Sequence, residues 1–558
     1  MLITSACILH AQSFETATEA VKNMGVGWNL GNTLDANSQN KDYWDETKSN
    51  FWGQQGLDSE TCWGQPYTKP ELMKIMKEAG FGAIRVPVTW YNHMDANGKV
   101  DVAWMARVHE VVDYVINQGL YCILNVHHDT GSDVSDGKQV GRHWLHASTN
   151  SYNKAKAKYE YLWKQIAEEF KNYGEKLLFE SYNEMLDDYN SWCFATFARS
   201  GGHHATEATD VYNAINSYAQ SFVDVVRATG GNNAKRNLVV NTYCASNGGG
   251  HWNSHLQDPL KEMKLPTDAT AGSGHIAFEV HAYPTLASGK SETDDLINQL
   301  NSYLLTKGPV IMGEWGTSNV DQSETDYAKD PEKYLEFVQY FVEKTKAKNI
   351  ATFYWMGLSD GLFRSNPVFT QPDIAKTIVK SFYGNADSYQ YPEIKDITNI
   401  VCFEGEKVIN WGDGISIASN LFAAFDKSIK LLITFSKQNS GYSDIQFHYG
   451  DWGQKASFTI DGKTYSGDYG PNGEVGASQT ITVTFDESIF NTLTKKGLIV
   501  HGTGIVITKI ELKSGTTDIG KVLIYDNQDP RIYNLQGQQV SNPQHGIFIQ
   551  NGKKYVVR

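Results

Sequence analysis

Short apolar runs alternate with longer amphipathic stretches along residues 20–385. The runs are Val26–Leu30, Ala83–Val88, Tyr121–Val126, Leu177–Glu180, Leu238–Asn241, Ala277–Val280, Val310–Met312 and Ala351–Trp355. Their brevity and their β-branched and aromatic residues predict strands. Between them, Val102–Val115, Tyr159–Phe170, Tyr212–Val226 and Tyr334–Val342 repeat apolar residues at helical spacing. Gly80 and Gly119 stand where the first and second helices should end. Alternation of strand and helix predicts a parallel sheet with both faces covered. Eight such units predict an α/β fold, a closed (β/α)8 barrel over residues 12–388 with loop insertions. The alternative, an open doubly wound sheet, usually carries a glycine-rich phosphate loop, and the sequence has none.

Around Ser388–Asn399 the pattern changes, and Tyr391-Pro392 marks a linker. Helical periodicity is expected to stop there. Alternating runs follow at Leu431–Phe435, Ser457–Ile460, Thr480–Phe485, Leu498–Val500 and Ile505–Leu512, separated by turn signals such as Asp461-Gly462 and Asn472-Gly473. They predict a β-sandwich over residues 398–514. Residues 516–558 read as a β-rich tail of a few more short strands. At the other end, residues 1–11 form a short apolar stretch that closes on Ala11. It is expected to be the remnant of a signal peptide, which predicts a secreted chain, extracellular, periplasmic or on the cell surface. No apolar run approaches the ~20 residues that span a bilayer.

The 558 residues are too many for one ordinary domain. The net charge of −14 excludes a nucleic-acid footprint and disfavours an anionic membrane surface. Cys7, Cys62, Cys122, Cys193, Cys244 and Cys402 are scattered, without a Cys-x-x-Cys pair. They predict neither a zinc site nor a disulfide framework, although Cys62 is a candidate for pairing with another loop cysteine.

In barrels of this kind the chemistry gathers at the C-terminal ends of the strands. The first run ends at Asn29-Leu30-Gly31-Asn32, and the second carries Arg85 and leads to Trp90. The third ends at His127-His128-Asp129, the fourth at Asn183-Glu184, the sixth at His281-Ala282-Tyr283, the seventh at Glu314-Trp315-Gly316 and the eighth at Trp355. A lone glutamate or histidine there is ordinarily a solvated or packed residue. Asn-Glu after strand four, His-x-Tyr after strand six and Glu after strand seven together point to paired-carboxylate chemistry.

These motifs resemble glycoside hydrolase family 5. The segment Met24-Gly25-Val26-Gly27-Trp28-Asn29-Leu30-Gly31-Asn32-Thr33-Leu34-Asp35 is similar to subfamily 4 in particular. Trp63-Gly64-Gln65-Pro66, Ile84-Arg85-Val86-Pro87-Val88-Thr89-Trp90, Asn125-Val126-His127-His128-Asp129, Glu180-Ser181-Tyr182-Asn183-Glu184 and Gly313-Glu314-Trp315-Gly316 extend the resemblance over residues 20–385. Gln65 departs from it, where Asn is expected. The resemblance implies an endo-β-1,4-glucanase of the cellulase or xyloglucanase type, acting on plant cell-wall β-glucan.

Glycoside cleavage passes through an oxocarbenium-like state and needs two carboxyls. Glu314 is expected to attack the anomeric carbon, while Glu184 acts as acid and then base. Arg85 is the cation to keep Glu314 ionised and aligned, with a barrel-bottom ion pair as its alternative role. Tyr283 is expected to donate to the nucleophile, and Asn183 to bind the sugar 2-hydroxyl. His127 and His281 belong to the same polar shell by resemblance, and His128 either binds the neighbouring sugar or packs. Trp355 offers an aromatic face to the reacting sugar, with Trp63 and Trp90 lining further subsites and Asn32 completing the substrate-binding set. No cofactor or metal is expected, and the working unit is expected to be a monomer. In the C-terminal region, Trp411, Tyr442, Tyr449 and Trp452 are candidates for a sugar-stacking platform or for plain sandwich core. That region resembles carbohydrate-binding modules, and the tail resembles C-terminal segments of secreted Bacteroidetes proteins, which implies a sorting or anchoring segment, with completion of the sandwich as the alternative. Rival readings are a xylanase or mannanase on the same scaffold, or a non-catalytic polysaccharide-binding protein. A phosphosugar barrel enzyme lacks support, because glycine-rich loops near strands seven and eight are missing.

Overall fold

The structure is a computed structural model. It describes residues 14–37, 56–131, 134–135, 138–139, 143–188, 203–250, 254–322, 324–438, 441–453, 456–460, 462–465, 479–515, 532–534, 546–550 and 553–557. The chain divides into two units, residues 1–393 and 394–558.

The first unit is a closed barrel of eight parallel strands: β1 (Val26–Asn29), β2 (Ala83–Val86), β3 (Tyr121–Asn125), β4 (Leu177–Glu180), β5 (Leu238–Asn241), β6 (Ile276–Ala282), β7 (Val310–Trp315) and β8 (Ala351–Tyr354). Closure is made by β1 on β8, with Val26 opposite Thr352. Every strand residue is buried, because helices cover the outside and side chains fill the inside. The helix Val102–Asn117 shows the covering pattern. Asp101 caps its first turn by accepting from the Trp104 N–H, and Trp104, Val108, Val111, Val112 and Val115 form its buried stripe.

The barrel interior is layered, and the period of two along a strand sets the layers. Ala83, Ile123, Leu178, Val239, Ala277, Ile311 and Phe353 make an apolar floor. The helix Ala17–Met24, opened by a Thr16/Glu19 capping box, closes that floor with Ala17, Ala20, Val21 and Met24. Two residues further along five of these strands stand Arg85, Asn125, Glu180, Asn241 and Glu279, all fully buried. Strand β7 breaks the rule. Its register slips against both neighbours, between Met312 and Glu314 on the β6 side and between Met312 and Trp315 on the β8 side. The extra residue turns Trp315 outward, stacked on Phe341 at 4.5 Å, and leaves Glu314 among the interior polar groups.

The second unit holds two antiparallel sheets. One has six strands and includes Asn399–Ile409, Lys430–Lys437 and Ile505–Lys513; the other pairs Leu498–Thr503 with Gly414–Ile417 and Asp444–Tyr449. They meet through Phe447, 4.4 Å from Phe458. Helical structure does not stop at the linker as the sequence pattern suggested. Glu487–Lys496 is a helix, capped by Asp486 and anchored by Phe490 and Leu493. The tail contributes a separate three-stranded sheet from Ile532–Asn534, Gly546–Gln550 and Lys553–Val557.

Among the described residues, no helix is long and apolar enough to cross a membrane. Cys62, Cys122 and Cys402 are free thiols, so the disulfide considered for Cys62 is not formed. Cys7 and Cys193 lie outside the described residues. So do residues 1–11, the proposed signal remnant, and Asn472-Gly473.

Candidate active site

At the C-terminal rim, β2, β4, β6 and β7 deliver one cation and a set of carboxyls to a single point. Arg85 is its centre. The guanidinium grips Glu180 with two parallel bonds, Nε to Oε2 at 2.7 Å and Nη2 to Oε1 at 2.8 Å. Its Nη1 donates to Glu314 Oε1 at 2.8 Å and to Asn29 Oδ1 at 3.1 Å, and its Nη2 donates to Asn183 Oδ1 at 2.7 Å. Glu279 Oε1 lies 3.3 Å from Nε. Burial alone would strip this proton; Glu180, Glu279 and Glu314 outweigh it and raise Arg85 well above its ordinary range. The barrel-bottom alternative for Arg85 therefore does not hold, because the residue stands above the apolar floor. It is a deep ion-pair hub, and it touches Glu314.

Glu314 is held at both oxygens, by Arg85 and by the Tyr283 hydroxyl, which donates to Oε2 at 2.7 Å. Burial pushes the carboxyl up. The charges of His281 and Arg85 and the two hydrogen bonds outweigh burial and hold it below the usual carboxylate range. Glu184 is bound by His281, whose Nδ1 lies 2.8 Å from Oε1 and 3.6 Å from Glu314 Oε2. One oxygen of Glu184, the His281 nitrogen and one oxygen of Glu314 lie within 4.8 Å of one another.

The histidines divide by charge. His281 faces Glu314, Glu184 and Glu279. Burial would lower it, but those carboxyls raise it to about 10. His127 is buried beside Arg85, His128 and His281, and burial with these neighbours holds it well below its ordinary value, as a neutral ring. Asn125 donates to His127 Nδ1 at 3.0 Å, which leaves the ring proton on Nε2, 4.0 Å from Glu314 Oε1. His128 packs edge-on to His127 and lies 5.2 Å from the Trp63 ring, with Nε2 3.9 Å from Asp35. Asp35 is pushed up to about 6 by burial.

A cavity of about 430 Å³ is lined by His127, His128, Asn183, Glu184, Tyr283, Glu314 and Trp355, with Thr317 and Asp321 at its edge. A second hollow shares Glu184 and Tyr283 and continues along Ser246, Asn247 and Glu292. The Trp355 ring lies parallel to His127, 6.2 Å away, over the backbone of Gly31, where a Cβ would meet it at 2.9 Å. Asn32 sits at the end of β1 in a left-handed turn (φ 60°), with its N–H on Asp35. Neither it nor Trp63, whose Nε1 donates to the Asn37 carbonyl, lines these two hollows.

Trp90 is a correction. Its ring is fully buried and donates to the Asn125 carbonyl at 2.9 Å, so it supports the cleft wall from behind and offers no face to a sugar. Asp129, at the end of the third run, is likewise internal. It accepts from the Trp90 N–H and from Trp144 Nε1. The sequence reading passed over Glu180 and Glu279 as site members. Each is a carboxyl inside an otherwise apolar strand, and that was the available signal.

The model of the cellulase family, glycosyl hydrolase family 5, matches residues 44–360. Endoglucanase B of Neocallimastix patriciarum is 33% identical over 359 residues, 61% of this chain and 64% of that protein. Endoglucanase A of Ruminococcus albus is 33% identical over 345 residues, 58% of this chain and 80% of that protein. The chain spans somewhat less than two thirds of the first two relatives, at 64% and 60% of their lengths. A broad-specificity endoglucanase of subfamily 4 from an uncultured bacterium is 59% identical, with a TM-score of 0.61 over 68% of this chain and 98% of that one. A family 5 enzyme from Prevotella bryantii, solved as a mutant with a xyloglucan tetradecasaccharide, is 38% identical, with a TM-score of 0.54 over 66% and 99%.

Proposed function

The chain belongs to glycosyl hydrolase family 5, and we propose that it is a retaining, endo-acting hydrolase of β-1,4-linked glucans. The observation that carries this is the carboxyl spacing. Retaining enzymes hold their two carboxyls about 5–5.5 Å apart, whereas inverting ones leave ~6.5–9.5 Å for a water. One oxygen of Glu184 and one of Glu314 lie within 4.8 Å of each other, in keeping with the shorter spacing.

Glu314 is the nucleophile. Arg85 and Tyr283 occupy one lone pair on each of its oxygens, which fixes the carboxylate plane and keeps it ionised. Its attack forms an ester to the anomeric carbon as the glycosidic bond breaks, and Glu184 gives its proton to the leaving oxygen. Water then attacks the same carbon, Glu184 takes the water's proton and the ester bond to Glu314 breaks. Asn183, whose Oδ1 is taken by Arg85, has its N–H2 for the sugar 2-hydroxyl. Trp355 stacks on the reacting sugar, while His128, Trp63 and Asn32 act further along the chain. Every one of these groups comes from one polypeptide, so one chain carries a whole site.

The substrate range is cellulose, mixed-linkage β-glucan and xyloglucan. The subfamily 4 neighbour is a broad-specificity endoglucanase, and the Prevotella enzyme was solved holding a xyloglucan fragment. Polymers of this size are met outside the cytoplasm, which favours a secreted or surface location. Initial rates on carboxymethylcellulose, mixed-linkage β-glucan, xyloglucan, xylan and mannan test the substrate class. Glu314→Gln should abolish turnover on all of them while binding is kept; persistent turnover would remove Glu314 as nucleophile.

The C-terminal unit is a glucan-binding module in this reading. Trp411 is 83% exposed, and Tyr442 and Trp452 are also exposed. Trp452 takes a left-handed backbone (φ 58°), unusual for a bulky residue, with its ring 5.2 Å from His501 and 5.5 Å from His448. Tyr449 is buried in the sheet and leaves the platform. Trp411→Ala and Trp452→Ala in the inactive Glu314→Gln chain should weaken retention on insoluble glucan; unchanged retention would return these residues to a structural role.

A further inference from the structure

Glu279 has no part in the steps above, yet it touches Arg85, which holds Glu314, and His281, which holds Glu184. It is fully buried in the middle of β6, between the apolar Phe278 and Val280. Its Oε1 meets His281 Nε2 at 3.1 Å and Arg85 Nε at 3.3 Å. Its carboxyl fills the space that Gly313 leaves open. A Cβ on Gly313 would lie 1.8 Å from Glu279 Oε1. Glycine inside a strand usually marks such a close approach, and Gly313 is the residue at the β7 slip that brings Glu314 into the site.

Two features do not fit an ionised Glu279. Its second oxygen, Oε2, is buried and accepts no hydrogen bond among the described residues. Buried polar atoms are rarely left so. The charges facing it also balance without one on Glu279. Arg85 on β2 and His281 on β6 are two cations, and Glu180 on β4 and Glu314 on β7 are two carboxylates, with Glu184 as the acid beyond His281. A third buried anion would draw Arg85 and His281 away from Glu314 and Glu184.

We propose that Glu279 is a positioning residue that stands as the un-ionised acid: its Oε2 hydroxyl donates to Glu180, its Oε1 accepts from His281, and it thereby holds the His281 ring against Glu184 and the β7 slip beneath Glu314. Burial and the Glu180 charge push Glu279 up to about 8. Burial alone would raise Glu180, whereas Arg85, Asn125 and a hydrogen bond from Glu279 hold it low. The role given to Glu184 and Glu314 rests on the hydrolase reading; the protonation of Glu279 does not.

The test compares Glu279→Gln with Glu279→Ala in the full chain, by infrared difference spectroscopy and by kinetics on soluble β-glucan. Glutamine reproduces both contacts, an oxygen toward His281 and an N–H toward Glu180. Near neutral pH the wild type should show the carbonyl stretch of a buried protonated carboxyl, and Glu279→Gln should lose it. Glu279→Gln should keep kcat within about threefold, while Glu279→Ala lowers kcat on the order of 10–100-fold with KM nearly unchanged. If no such band disappears in Glu279→Gln, or if glutamine is as damaging as alanine, the proposal is overturned. Should Glu279→Ala not fold, the glutamine variant still decides. Should the wild type hydrolyse no glucan, the hydrolase reading fails while the infrared band still reports on Glu279.

Discussion

Arg85 and Arg236 are both fully buried guanidiniums, placed at opposite ends of the barrel strands. Arg236 lies just before β5. It spends its donors on neutral oxygens: Asn233 Oδ1, and the carbonyls of Gly174, Leu177, Phe170 and Tyr173, all within 3.0 Å. Its face rests on the Phe179 ring. With no carboxylate partner, burial and the nearby Arg227 charge pull it down to about 9. Arg85 meets carboxylates instead, and they raise it. Carbonyls satisfy a buried cation and tie loops together, but they respond to nothing. Carboxylates make the same cation part of a titrating, reactive set. The end of the strands where the cation meets acids is the end that does chemistry.

The contrast can be broken by substitution. Arg85→Lys loses the two-pronged grip and cannot serve Glu180, Glu314 and Asn183 together, so kcat should fall on the order of 10²–10⁴-fold. Near-normal turnover in that variant would deny Arg85 its part in holding Glu314. Arg236→Met strands several buried carbonyls. Denaturant unfolding should show a loss of about 3–5 kcal/mol, with kcat per folded molecule unchanged.

The acid-rich end should also make stability pH-dependent. Glu279, at about 8, and His281, at about 10, are both raised in the folded chain. Each binds its proton more tightly folded than unfolded, so each contribution is complete below its ordinary pKa and is lost as pH rises through the folded value. The Tm of the barrel should therefore fall as pH rises between roughly 4.5 and 10, and Glu279→Gln should flatten the part between about 4.5 and 8. A flat Tm across that range in the wild type would contradict the charge assignment. The smallest effect belongs to Trp90. Trp90→Phe removes one buried hydrogen bond, about 1 kcal/mol of stability, and should leave KM unchanged if the ring never touches sugar.

Much of this was legible in the sequence because strand ends are where apolar runs stop. Glu314, Tyr283 and Trp355 stood out as polar or aromatic residues at such ends. Trp90 misled because a strand-end tryptophan looks the same whether its ring turns to the cleft or to the wall, and only the Asn125 carbonyl settles the direction. The β7 slip was hidden too. Alternation from Ile311 would face Trp315 inward, and Gly313 gives no hint alone of the carboxyl that fills its missing side chain. The helix Glu487–Lys496 was missed because two buried residues, Phe490 and Leu493, make too short a stripe to show a helical period.

The central claim is that Glu184 and Glu314 work as a double-displacement pair. It is tested most directly by the anomeric configuration of the first product released from a cello-oligosaccharide, read by proton NMR before mutarotation. A double-displacement pair releases the β-anomer first, with retention; initial release of the α-anomer would rule the pair out.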